Sequence, residues 1–343
     1  MLLAILLTLA SCRPRHRQPS IGEAFVAPAS LNLRQELAPR APVTALVKHG
    51  DRLEILERKR RFAKVRTAEG AEGWTDGRQL LSPKGMQHLR RVNERAKALP
   101  SQGKASPFDD LNVHIAPNRS SPSFYLLPEG VMIDLVGRAV TPRGPYNPDQ
   151  PNAESVPVDS IKDDWSMVRL PDGRSGWVLA RMLMMNLPDE VTQMAEGHRI
   201  TSCFPLDIVN DKNGQPRQSW LWTTSSKPPE DYQFDSFRVF VWNVRKNRYE
   251  TTYVERGLRG YYPVTVEQKP GDASPRIRLV AGRDELFART FEFRNRRLRE
   301  IERRPYTKPV ADPDDHLPMM IEDGEELSLW QRTRQWVSDR WLR

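Results

Sequence analysis

Two stretches of this chain repeat one another residue by residue. A chain built from copies of one unit has to fold as copies of one small module. The first copy reads Leu31-Asn32-Leu33-Arg34, then Gly50-Asp51-Arg52-Leu53-Glu54-Ile55, then Phe62-Ala63-Lys64-Val65-Arg66, and closes with Gly73-Trp74 and Leu80. The second reads Leu111-Asn112-Val113-His114, then Gly130-Val131-Met132-Ile133-Asp134-Leu135, then Trp165-Ser166-Met167-Val168-Arg169, and closes with Gly176-Trp177 and Leu183. Asn112 follows Asn32 by 80 positions and Gly130 follows Gly50 by the same 80, whereas Val168, Trp177 and Leu183 follow Val65, Trp74 and Leu80 by 103. The difference of 23 residues falls in the Pro- and Asn-rich stretch 138–162, which reads as a long loop inserted between two strands of the second copy.

Within each copy, short runs of alternating apolar residues are separated by turn residues, the pattern of a small antiparallel barrel. Both copies resemble bacterial SH3 domains, with their Leu-Asn-Val-Arg, Gly-Asp, Trp-x-x-Val and Gly-Trp-Val pattern. Phe62 stands where that family usually has Trp, His114 where it has Arg, and no Asp follows Gly130. The resemblance implies binding rather than catalysis, with peptidoglycan or protein partners. It makes Asn32, Trp74, Asn112 and Trp177 the recurring candidates for ligand contact. The same residues also define the module, each Trp as a plug of its barrel and each Asn as a turn tie, and that structural reading is preferred.

The N-terminus carries an address. Leu2 to Ala10 is an apolar run too short to cross a bilayer as a helix, and Leu9-Ala10-Ser11-Cys12 follows at once. That tetrapeptide looks like a bacterial lipobox, although no Lys or Arg precedes the apolar run. The likeness implies cleavage before Cys12, lipid attachment to it, and anchorage on the outer side of the cytoplasmic membrane or in the outer membrane. The chain is therefore expected to be an SH3-type lipoprotein of the cell envelope. Cys203 is the one other cysteine, so a disulfide framework and a Cys-based zinc site are both unsupported once Cys12 is lipidated.

The expected layout is a signal peptide over 1–11, a linker over 12–23, one SH3-like barrel over 24–82, a helical linker over 83–106, and a second barrel over 107–186. In the linker, Met86, Leu89, Asn93 and Ala96 share one helical face between Pro83 and Pro100, and residues 101–110 read as polar and flexible. Residues 199–308 show at least six strand-like runs joined by turns such as Asp211-Lys212-Asn213-Gly214, which predicts an antiparallel meander, either a sandwich or an open barrel. Its runs include 248–256 and 260–267 as separate strands. The tail 309–343 contains an acidic cluster, Asp312 to His316, read as solvated linker, and an amphipathic helix over 325–343. The fold class is thus mainly β.

Charge and chemistry bound the function. The net charge is +9, and 199–308 holds 22 Lys and Arg against 14 Asp and Glu, which suits an anionic surface partner. Export argues against nucleic acid. No Walker loop, dinucleotide fingerprint, paired-His spacing or Gly-x-Ser-x-Gly elbow is present, and no cofactor is expected. The expectation is a protein without enzymatic activity that holds cell-wall or protein partners. The alternative is a cell-wall peptidase or accessory hydrolase using Cys203 with His198 as its base.

Overall fold

The computed structural model describes residues 18–38, 40–143, 161–226, 232–268 and 274–307. Cys12, the acidic cluster and the C-terminal amphipathic helix lie outside these residues. The described chain is mainly β and antiparallel with few helices. Its strands form three seven-stranded sheets among the described residues.

The first sheet contains β1 (Gly22–Val26), β2 (Ser30–Arg34), β3 (Val43–Lys48), β4 (Arg52–Lys59), β5 (Phe62–Arg66), β6 (Glu72–Asp76) and β7 (Leu80–Leu81). Helix α1 (Pro83–Ala98) follows. The second sheet contains β8 (Lys104–Pro107), β9 (Leu111–His114), β10 (Ser123–Leu127), β11 (Ile133–Pro142), β12 (Lys162–Arg169), β13 (Ser175–Leu179) and β14 (Leu183–Met185). The spatial orders are β3-β2-β6-β5-β4-β1-β7 and β10-β9-β13-β12-β11-β8-β14, the same path traced twice. Each sheet wraps around an apolar cluster, Leu33, Leu53, Ile55 and Val65 in the first and Val113, Phe124, Ile133 and Val168 in the second.

Parity within the strands decides what faces each core, since successive side chains point to opposite faces. In β6 the burial alternates so that Gly73 and Thr75 point inward and Trp74 outward. A Cβ on Gly73 would stand 2.8 Å from Leu33 Cβ, and one on Gly176 2.6 Å from Val113 Cγ1. The tryptophans are therefore not barrel plugs. Trp74 is half-buried on the outer face, and Trp177 is buried against Val92 and Ala96 of α1. The glycines beside them let β6 and β13 press against β2 and β9.

Helix α1 starts where Ser82 accepts a hydrogen bond from the Gly85 N–H at 3.0 Å and proline takes the first turn. It buries Met86, Leu89, Val92 and Ala96, while Asn93 uses Oδ1 to accept the Ser175 N–H at 2.6 Å. The segment after it is not a flexible spacer. Lys104–Pro107 is a strand of the second barrel, and Gln102 is fully buried. The long loop is also shorter than the sequence suggests: β11 runs on to Pro142 and pairs Arg138 with Ser166 and Pro142 with Lys162. Residues 144–160 lie outside the described set.

The third sheet is a meander in chain order: β15 (Arg199–Asn210), β16 (Pro216–Ser225), β17 (Phe234–Asn243), β18 (Arg248–Glu267), β19 (Arg276–Gly282), β20 (Phe287–Arg294) and β21 (Arg297–Pro305). The two runs expected at 248–256 and 260–267 are one strand of 20 residues. Both faces of this sheet carry apolar cover. Along β17, Phe237, Val239 and Val241 join one cluster while Phe240 and Trp242 join the other with Trp222 and Cys203. Gln102 ties the second barrel to this sheet. Its amide donates to the Val264 carbonyl and accepts from the Val264 N–H at 3.2 and 3.0 Å. Its own carbonyl accepts from the Cys203 N–H at 2.9 Å.

Candidate functional site

A cleft of about 1010 Å³ opens between the two barrels. The wall from the first barrel is the β4–β5 hairpin and the segment after β6. Lys59 pairs with Phe62, which leaves Arg60 and Arg61 as a two-residue turn. Arg60 sits in the left-handed region at φ 54°, a conformation that glycine or asparagine adopts with little cost and a long side chain does not. Asp76 then organises this wall. It caps Gly77–Gln79 by accepting from the Arg78 N–H at 3.0 Å, pairs with the Arg78 guanidinium at 2.8 Å, and lies 3.6 Å from Arg61. The Arg78 hydrogen bond holds its carboxyl below the usual aspartate range, against some burial. Arg61 also stacks over Phe62, 4.9 Å from the ring centre.

The opposite wall comes from β9, β10 and their connecting loop: Asn112, His114, Arg119, the Ser120–Ser123 stretch, Phe124, Tyr125 and Leu126. Arg119 is fixed by a two-pronged pair with Asp163 at 2.6 and 2.8 Å, and Arg143 shares the same carboxylate at 2.7 Å. Burial would disfavour ionised Asp163, but the hydrogen bonds from both arginines outweigh it and hold its pKa at about 2. Burial pushes His114 down, so the ring is neutral near pH 7, with Nδ1 against the Ser121 carbonyl at 2.8 Å. The cleft is thus lined by five arginines, Arg58, Arg60, Arg61, Arg78 and Arg119, against the one carboxylate of Asp76, with aromatic, hydroxyl and amide groups opposite. Such a lining can bind anionic groups and stack or hydrogen-bond their neutral carriers.

Of the residues singled out in the sequence, Asn112 is in this cleft and exposed. Asn32 is exposed on the corresponding strand of the first barrel, opposite Leu46, and does not line the cleft. Trp74 and Trp177 lie on outer faces of their strands, as described. The cleft arginines were missed. Their signal is the run Arg58-Lys59-Arg60-Arg61, a basic turn between two strands, and it lies outside the 199–308 stretch to which the charge surplus points. Among the described residues, no group of three or more His, Cys, Asp or Glu could hold a metal ion.

Cys203 is not placed as a nucleophile. It is 4 % exposed, packs with Val191, Trp222 and Phe240, and burial pushes its thiol up to about 12. His198 faces a different opening, with Nδ1 3.4 Å from Ser226 Oγ.

No family model and no curated protein matches this chain. Solved structures do match. They include NlpC1 from Trichomonas vaginalis (11 % identity, 73 % of this chain and 92 % of that one, TM-score 0.17) and an NlpC/P60 family protein from Bacillus cereus ATCC 10987 (12 %, 84 % and 95 %, TM-score 0.20). NlpC2 from Trichomonas vaginalis also matches (12 %, 85 % and 100 %, TM-score 0.17). These findings correct two expectations. The matched structures are named NlpC or NlpC/P60 family proteins and not SH3-type lipoproteins, so neither the SH3-type lipoprotein assignment nor the absence of enzymatic activity is retained. At these TM-scores no catalytic residue is carried over to this chain.

Proposed function

We propose that this protein works at the cell envelope and grips an extended anionic polymer in the cleft between its two barrels. The observation that carries this reading is the lining of five arginines against one carboxylate, drawn from both barrels. The planar guanidinium fork matches phosphate and carboxylate oxygens, and the ring of Tyr125 with the amides of Asn112 and Gln79 suits the sugar or polyol that carries them. The strained backbone at Arg60 supports it, because strain is retained where a side chain must be presented at a fixed place. The envelope location rests on Leu9-Ala10-Ser11-Cys12, with attachment to the membrane at Cys12.

The test is co-sedimentation with purified cell walls, before and after chemical removal of their anionic polymers. The double variant Arg60→Glu, Arg61→Glu should bind at least about tenfold more weakly, and the wild type should lose retention as salt rises. Equal retention by stripped walls would overturn the reading. If soluble wall fragments are released, the cleft is the substrate groove of a hydrolase. That release should survive Cys203→Ala, since the thiol is sealed in a core.

A further inference from the structure

The third sheet contains a second pocket, of about 400 Å³, lined by His198, Thr224, Ser236, Arg238, Arg256 and Arg259 among others. Its floor is set by strand pairing. Ser236 in β17 stands between Thr224 of β16 and Arg256 of β18, and Arg238 follows two residues on, on the same face. Ser236 and Arg238 are each 6 % exposed. Arg238 spends two nitrogens on the Met194 carbonyl at 3.2 Å and Glu196 Oε2 at 3.3 Å. Its Nε–H and the Ser236 hydroxyl have no hydrogen-bond partner among the described residues. Buried polar groups are almost always paired, and these two unpaired groups belong to residues that line one pocket. Of the carboxylates, Glu196 reaches Arg238 and, at 4.0 Å, Arg256, while Asp235, which also lines the pocket, accepts the Ser226 N–H at 2.7 Å.

We infer that this pocket binds a small oxyanion of the phosphate type, received by Arg238 Nε–H and the Ser236 hydroxyl at the floor. Arg256 and Arg259 supply the countercharge. An acceptor-rich anion satisfies both orphaned donors at once, which a cation or an apolar group cannot do. The site is separate from the inter-barrel cleft and does not rest on the reading of that cleft.

Calorimetric titration of the full chain with inorganic phosphate, and in parallel with glycerol phosphate, tests it at constant ionic strength. The two arms separate a free ion from a phosphate ester on a larger carrier. Ser236→Ala and the exposed-rim variant Arg256→Gln should each weaken binding at least about fivefold, the loss expected for one charge-assisted hydrogen bond. The double cleft variant Arg60→Glu, Arg61→Glu should leave it unchanged. Absence of phosphate binding up to ~10 mM, or equal binding by wild type, Ser236→Ala and Arg256→Gln, would overturn the inference and leave the two groups to water. If Ser236→Ala fails to fold, Arg256→Gln decides alone.

Discussion

Equivalent residues of the two barrels perform equivalent tasks with different chemistry. Arg34 donates to the Ala41 carbonyl at 2.7 Å, and His114, 80 positions later, places Nδ1 against the Ser121 carbonyl, also 80 positions after Ala41. A long charged donor and a short neutral ring thus hold the same loop. The glycines beside the tryptophans are less exchangeable. Gly73→Ala and Gly176→Ala should each destabilise by about 1–3 kcal/mol, because a Cβ would overlap neighbouring strands. Urea unfolding of each variant measures this, and a neutral effect would mean that the strands can separate freely. Asp163 supplies a pH signature. Its folded pKa of about 2 lies below the ordinary 3.8, so its stabilisation is present above pH ~4 and is lost as the pH falls through about 2. The partner guanidinium groups are partly exposed, which screens the pair and limits its worth to about 1–2 kcal/mol. Asp163→Asn should flatten that part of the acid-stability curve, as followed by unfolding midpoints between pH ~2 and ~5.

Among elements, the β4–β5 hairpin sets stability against binding. A glycine at position 60 adopts φ 54° without the side-chain penalty, so Arg60→Gly should leave stability unchanged or raise it by up to ~1 kcal/mol while weakening wall binding. A variant that loses stability and keeps binding would contradict the role given to that turn. The linker shows how a short polar stretch becomes structural. Residues 101–110 lack apolar periodicity, yet Gln102 pairs reciprocally with the Val264 backbone and cannot be replaced without leaving a buried N–H and C=O unmet. Gln102→Ala should cost about 2–4 kcal/mol, and hydrogen exchange should speed up first at the Val264 and Cys203 amides.

For the whole molecule, α1 turns two modules into one unit. Its Met86 and Leu89 belong to a single cluster that reaches from Ala27 and Leu81 of the first barrel to Phe124 and Val168 of the second. Leu89 is fully buried there, so Leu89→Ala should cost about 2–5 kcal/mol and lower the unfolding of both barrels together. Two separate transitions, with only one of them shifted, would show that the barrels unfold independently. The cleft depends on the same arrangement. The walls come from different barrels, and their distance is set by α1 and the cluster it completes between them.

The repeat in the chain carried the path of both barrels, because alternation, turn glycines and close strand approach act between residues near one another in the sheet. Gly50 and Gly130, at φ 85° and 72°, hold the same turn in both copies, and the two strand orders coincide. The antiparallel meander and the start of α1 were also readable, from turn residues and from Pro83, although two of the expected strands are one. Three features were not. The outward face of Trp177 is buried only because α1 covers it, a contact between residues more than 75 positions apart. Gln102 is buried only because Val264, 162 positions away, offers both backbone groups. The cleft exists only because separately coded basic turns meet across a gap. A surface arginine has the same local pattern whether it faces open water or a second wall, and only the tertiary structure separates the two.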